Sequence, residues 1–513
     1  MTAESPENVL FVVMDTVRKD HLTPYGYDRP TTPGLDQFAE EATVFEQAVA
    51  PAPWTLPVHA SLFTGMYPSQ HGADQENPYL EGATTLAETL SAAGYDTACY
   101  SSNAWITPYT HLTDGFDEQD NFFEVMPGDF LSGPLAKAWK TMNDSDTLRA
   151  LADKLVSLGN TAHEYLAGGE GADSKTPTVI DQTIDFIDDS EEFFAFINLM
   201  DAHLPYHPPE EYADEFAPGV DSSEVCQNSK EYNAGAYEIE DDEWEDIRGL
   251  YDAEIAHIDD QLTRLFDHLK ETDQWDDTMV VVCADHGELH GEHGLYGHEF
   301  CLYDPLINVP LMVKHPKLGA DRREDQVELV DLYHTVLDSL GVEGGEPASP
   351  GDEAVALDRT RSLLSADYRD FAKATNDDPG QLRDGEYAFV EYSRPVVELK
   401  QLEEKAATAN IVLGENTRFY SRMRSARRTD AKYTRIDRIE DEAFRLDTDP
   451  DELENLADSD DEAIRETEAA LAEFEDEIGG AWTDALDTDV SDDSVDQMDD
   501  EAQERLRDLG YLE

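Results

Sequence analysis

The stretch Asp285–His298 (DHGELHGEHGLYGH) holds four of the chain's fifteen histidines within fourteen residues. A carboxylate followed at once by an imidazole, Asp285-His286, is a donor pair suited to a divalent cation. A polar loop with incidental histidines is the plainer alternative, and the clustering argues against it. Thr55 lies in a second segment, APWTLPVHASLFTG, whose apolar spacing after Pro57 predicts a helix start. A hydroxyl there stands at the positive end of a helix, beside free N–H groups that can hold an anion. A simple helix cap is the competing role. In the third segment, Met200–Pro209 (MDAHLPYHPP), prolines fix a loop that presents His203 and His207.

These residues gain meaning from the elements that carry them. Val9–Met14 (VLFVVM) reads as a strand buried on both faces, with Asp15 directly after it. Phe193–Met200 and Met279–Ala284 read the same way and lead into Asp201 and Asp285. Ligands of a parallel α/β sheet sit at the C-terminal ends of its strands. One Asp in such a place is more often a helix cap than a ligand; three of them, two closely followed by His, shift the balance toward chemistry.

Helical spacing over Pro33–Ala42, Thr84–Ala93, Thr178–Ile187, Asp242–Leu269 and Leu329–Leu340 alternates with short apolar strands, including ones around Tyr95–Tyr100 and at Pro310–Val313. That alternation predicts an α/β fold with a doubly wound, mostly parallel sheet over residues 1–345. Past the Gly/Pro/Ser-rich stretch Gly344–Gly351 the texture changes. Short strands at Tyr387–Tyr392, Arg418–Arg424 and Tyr433–Ile436, with a helix near Ile464–Ile478, predict a smaller C-terminal α+β subdomain over 346–480. Residues 481–513 read as an acidic tail whose end, Arg505–Leu512, is apolar enough to dock back.

The 513 residues carry 36 Lys and Arg against 115 Asp and Glu, a net charge of −79. So few cations exclude a nucleic-acid binder, which needs them for phosphate contacts, and disfavour docking on an anionic membrane. Disorder, the usual fate of acidic chains, conflicts with 40% hydrophobic residues. With acid spread along the whole length and only 13 Lys against 23 Arg, the composition reads as halophilic, adapted to salt that screens self-repulsion. The four cysteines are scattered without a CxxC pair, the N-terminus lacks a basic, apolar leader, and no apolar run exceeds six residues. A cytoplasmic protein without a membrane span is expected. Oligomeric state is left open.

In combination these segments resemble the sulfatase family of the alkaline phosphatase superfamily. The resemblance rests on NVLFVVMDTVRKDHL at the start, TLPVHASLFTG at the place of the family's nucleophile signature, DHGELHGEHG followed by VPLMV, and FRLDTDPDELENLA at Phe444–Ala457. It implies an alkaline-phosphatase-like fold and a metal-dependent hydrolase of sulfate esters, or of related phosphate or phosphonate esters. Matched residue by residue, Asp15, Asp285 and His286 would be metal ligands. Thr55 would be the nucleophile and also touch the metal. His203 would be a catalytic contact to the ester's anionic oxygens. His298 falls within about one position of a family Lys with that role. His298, His59 and Arg18 are the substrate-binding candidates, with a structural ion pair the alternative for Arg18. One divalent ion is implied, calcium by family habit, with manganese, magnesium or zinc as alternatives.

Two departures narrow the chemistry. Thr16 stands where the family often has a second Asp. Thr55 replaces the Cys or Ser that the family oxidises to formylglycine, and His59 replaces the Arg read by the oxidising machinery. No formylglycine is expected, so direct attack by Thr55 remains. The substrate would be a small-molecule, glycan or lipid ester. The alternatives are an enzyme of the phosphodiesterase or phosphonate monoester hydrolase type, a group transferase, or a non-catalytic anion-binding homologue.

Overall fold

The computed structural model describes residues 6–75, 77–121, 174–365, 368 and 387–478. The expected acidic tail at 481–513, with its docking end, lies outside the described residues.

The main sheet has eight strands: β1 (Asn8–Met14), β2 (Thr43–Val49), β3 (Asp96–Ser101), β4 (Glu118–Asn121), β5 (Phe193–Leu199), β6 (Thr278–Cys283), β9 (Asn308–Lys314) and β10 (Asp321–Glu328), with the two short strands β7 (Leu289–His290) and β8 (Tyr296–Gly297) forming a hairpin of their own. Its order is β10-β2-β9-β6-β1-β5-β3-β4. Strand β9 alone runs against the rest: it is antiparallel to both β2 and β6, and every other neighbour pair is parallel. The doubly wound, mostly parallel sheet expected from the sequence is therefore present.

Strand β1 sits between β5 and β6, and all three are buried along their entire length. Such burial on both faces requires a continuous apolar run. Helices Pro33–Ala39, Thr176–Asp189 and Asp241–Glu271 pack together as one group, and Thr55–Thr64, Leu86–Ala93 and Asp331–Leu340 as another. β10 was not foreseen. Its DRREDQVE carries no apolar alternation, and only its last three residues are buried, as suits an edge strand.

C-terminal to this body, β11 (Ala388–Tyr392), β12 (Met423–Arg427), β13 (Lys432–Ile436) and β14 (Glu442–Phe444) form a small antiparallel sheet in that order. Helix Glu462–Glu477 covers it, with Phe474 stacked on Phe389 at 4.2 Å between centroids. The strand expected at Arg418–Arg424 begins only at Met423; Arg418–Tyr420 is a single tight turn. Buried Arg427 fastens this sheet to the body through Asp304 (2.7 Å), Gln326 (2.8 Å) and Gln47 (2.7 Å). Fully buried charge of this kind survives only when its donors are paired.

Candidate active site

Asp15 and Asp285 follow the ends of adjacent strands β1 and β6, and His286 comes next in sequence. One donor atom from each of the three lies within 4.8 Å of the others. Each carboxylate uses one oxygen for the protein. Asp15 Oδ2 accepts from the side-chain amides of Asn103 (2.8 Å) and Asn198 (3.1 Å). Asp285 Oδ1 accepts from the backbone N–H groups of His286 (2.9 Å) and Thr16 (3.2 Å). The other oxygens, Asp15 Oδ1 and Asp285 Oδ2, are buried without a partner, and so is His286 Nε2.

The tautomer of His286 follows from its neighbour. Its Nδ1 faces the Gly287 carbonyl at 3.0 Å, which can only accept, so Nδ1 carries the proton and Nε2 presents a lone pair. Burial and the nearby His298 hold the ring neutral. Burial, with the charge of Asp15 beside it, drives the Asp285 carboxyl well above its usual range. Two orphaned carboxylate oxygens and an orphaned imidazole nitrogen in a buried site form a donor set that a divalent cation satisfies. Gly287 is required here. A Cβ would come within 2.0 Å of the Pro305 carbonyl, whereas the bare backbone bonds Leu306 at 2.8 Å and keeps His286 in place.

Thr55 is the first residue of helix Thr55–Thr64, preceded by extended Trp54 and closed by Gly65 at φ 71°. The residue is 4% exposed, and its hydroxyl stands at the helix start, where first-turn N–H groups lack intrahelical partners. Asn103 Nδ2 donates to Thr55 Oγ1 at 3.3 Å while donating to Asp15 Oδ2, so one amide joins the expected nucleophile to the expected metal ligand. His59 lies behind them. Its Nδ1 bonds the Thr55 carbonyl at 2.9 Å and stands 3.8 Å from Asp285 Oδ2; burial lowers its pKa to about 4. The ring packs on Phe196 and does not line the cleft, and its Nε2 is buried without a hydrogen-bond partner.

The cleft in front of Thr55 measures about 430 Å³. His203 and His298 both line it, with ring centroids 5.3 Å apart, and His298 lies 4.5 Å from His286. Glu299 and Glu288 beside His298 outweigh its burial and raise its pKa to about 9, so it is protonated at neutral pH. Lys230, paired with Glu299, also lines the cleft, and Trp54 and Trp105, edge to face at 5.6 Å, form an apolar wall.

Arg18 does not reach the cleft. Its guanidinium is buried and shared among Asp20 (2.7 Å), Glu292 (2.6 Å) and the Glu288 carbonyl (3.1 Å), the ion-pair alternative. Asp201 and His207 also serve the scaffold: Asp201 takes the Thr176 hydroxyl, and His207 faces Ser222 at 2.9 Å. Sequence reasoning missed Asn103, Asn198, Glu288 and Glu299. Asn103 carried a readable signal, since it stands two residues past the end of β3 just as Asp285 stands two past β6. The two glutamates showed none, being ordinary acids in an acidic chain.

Comparison with known proteins identifies the family. Residues 7–342 match the family model described as Sulfatase. The chain is 26% identical over 385 residues to the uncharacterized sulfatase YidJ of Escherichia coli (strain K12), covering 70% of this chain and 72% of that one. It is 27% identical over 395 residues to the multifunctional alkaline phosphatase superfamily protein PehA of Trinickia caryophylli, covering 66% and 74%. Among solved structures, the phosphonate monoester hydrolase of Agrobacterium radiobacter superposes with a TM-score of 0.63 at 20% identity, covering 92% of this chain and 96% of that one. A 2-O GAG sulfatase superposes at 0.60 and 17% identity, covering 96% of each. The match spans the strands that carry Asp15 and Asp285 and the helix that carries Thr55, and on it the chain belongs to the sulfatase family of ester hydrolases within the alkaline phosphatase superfamily.

Proposed function

We propose that the protein hydrolyses sulfate esters, or related phosphate or phosphonate esters, through Thr55, with one divalent cation held by Asp15, Asp285 and His286. The observation that carries this reading is the shared amide of Asn103, which sets Thr55 Oγ1 beside a donor set whose free atoms suit a cation. A bound cation would supply the positive charge that favours the ionised Thr55 hydroxyl and polarises the ester. The chain's own groups do the rest. The N-terminus of helix Thr55–Thr64, His203 and protonated His298 receive the anionic oxygens, and the cleft takes the ester's alcohol between Trp54 and Trp105 on one side and polar groups on the other. Calcium is the family's habit; magnesium, manganese and zinc suit the same donors less or equally well according to their geometry. Salt adaptation and a cytoplasmic setting belong to the same reading and rest on the charge of −79 and the scattered cysteines.

The test is a panel of p-nitrophenyl sulfate, phosphate, bis-phosphate and phosphonate esters in high KCl, with Ca²⁺, Mg²⁺, Mn²⁺ and Zn²⁺ varied. Cation-dependent turnover of the sulfate or of the phosphorus monoanions is expected. No turnover of any ester with any cation would overturn the hydrolase reading in favour of anion binding.

A further inference from the structure

The unassigned group that matters most is the Asn103 side chain, which is 2% exposed. Its orientation is settled by its partners. Asn103 Oδ1 accepts the Trp105 backbone N–H at 2.8 Å, so the NH₂ end must face Asp15 Oδ2 at 2.8 Å, a carboxylate that can only accept. That same nitrogen lies 3.3 Å from Thr55 Oγ1 and 3.1 Å from Met200 Sδ. The amide thus presents an N–H to the threonine oxygen from a buried side chain held at both ends.

A threonine nucleophile makes this donor necessary. With Oγ1 attacking, the bond from Oγ1 to sulfur or phosphorus forms, the bond to the ester's alcohol oxygen breaks, and the proton lost by Thr55 balances the one the departing alcohol takes up. Water must then attack the same centre. The new bond is to water's oxygen, the bond to Oγ1 breaks with its electron pair staying on Oγ1, and one of water's protons restores the hydroxyl. A threonine ester has no second hydroxyl on the carbon to help expel the group, so negative charge gathers on Oγ1 as it leaves. We propose that Asn103 is the catalytic donor that receives this charge, and that its main contribution is to the second half of the reaction, release of the group from Thr55. This rests on the reading of Thr55 as nucleophile.

The experiment compares wild type, Asn103→Ala and Thr55→Ala in high KCl with saturating cation and the best p-nitrophenyl ester from the panel. It follows the pre-steady-state burst of p-nitrophenol and the mass of the Thr55 peptide after acid quench. Removal of a preorganised donor of this kind typically costs about 10²–10³ in kcat. Asn103→Ala should therefore lose about a hundredfold in kcat and much less in kcat/KM. It should show a burst near one equivalent and carry the transferred group on Thr55. Because Asn103 also holds Asp15, cation affinity is titrated alongside, and a purely structural loss would appear there and in kcat/KM without any burst. Thr55→Ala that turns over with near-normal kcat overturns the nucleophile reading itself. An inactive Thr55→Ala together with an Asn103→Ala protein that shows no burst and no adduct leaves the nucleophile in place and overturns the role of Asn103.

Discussion

The backbone N–H of Thr16 donates to Asp285 Oδ1 over 3.2 Å, joining two residues 269 positions apart in sequence. Thr16 reaches that position at φ 58°, a left-handed conformation that is costly for a β-branched residue. Its hydroxyl holds the turn by donating toward the carbonyls of Ala202 (2.6 Å) and Asp15 (2.7 Å). At this position, where the family resemblance led one to expect a second carboxylate, the chain presents a peptide N–H that aims the carboxylate that follows another strand. Thr16→Val keeps the shape and removes the hydroxyl, leaving buried carbonyls short of a donor. A loss of about 1–3 kcal/mol is expected, read as a lower denaturation midpoint in concentrated KCl; an unchanged midpoint would show that the hydroxyl does not hold the turn.

The crowding of Asp15 and Asp285 predicts opposite responses with and without a cation. Asp285→Asn removes one of two crowded buried carboxyls without changing shape. The cation-free protein should melt at the same or a higher temperature than wild type. In wild type a saturating cation should raise the melting temperature, since ligand at a hundred times its Kd adds about 2.7 kcal/mol. That rise should shrink or vanish in Asp285→Asn. A full cation-induced rise in the variant would remove Asp285 from the donor set.

Thr55 separates catalysis from capping. As the nucleophile, its replacement by Ala should lower kcat by at least about a thousandfold, with folding intact. Thr55→Ser keeps the hydroxyl and should retain measurable turnover. As a helix cap alone, Thr55→Ala would cost about 1 kcal/mol of stability and leave kcat nearly unchanged.

Asp259 supplies a pH dependence away from the site. It accepts from the backbone N–H groups of Gly34 and Leu35, both at 2.7 Å, yet burial pushes its carboxyl from 3.8 up to about 7. The folded state thus binds the proton more tightly than the unfolded one. The stability this provides is present at low pH and is lost as pH rises from 3.8 through about 7. Asp259→Asn lacks this titration. Its melting temperature relative to wild type should rise across that window and level off above it. Parallel curves for the two proteins would show that Asp259 does not titrate there.

The charge of −79 sets the salt response. Screening reaches about 30 Å at 0.01 M salt and about 3 Å at 1 M. Helical circular dichroism should be lost cooperatively as KCl is dialysed down, and regained on its return. Retention of a cooperative melting transition in 10 mM buffer would refute salt adaptation.

The sequence by itself determined the elements whose pattern is local. VLFVVM and MVVVCA are apolar enough along their whole length to read as buried strands, and the residues after them, Asp15 and Asp285, had to stand at strand ends. Helix Asp241–Glu271 was legible for the same reason of sustained period. The change of texture past residue 345 made the later short strands legible, although the strand at 423–427 was placed too early because apolar content around Arg418 does not distinguish a turn from a strand. Tertiary structure decided the rest. That Asn103 rather than another amide touches both Thr55 and Asp15 depends on β3 lying beside β5, which in turn lies beside β1. Arg18 turns to Asp20 and Glu292 instead of the cleft, and His298 stays charged because Glu288 and Glu299 surround it. Such outcomes depend on distances between residues far apart in the chain, and a one-dimensional pattern of residue types carries no distances.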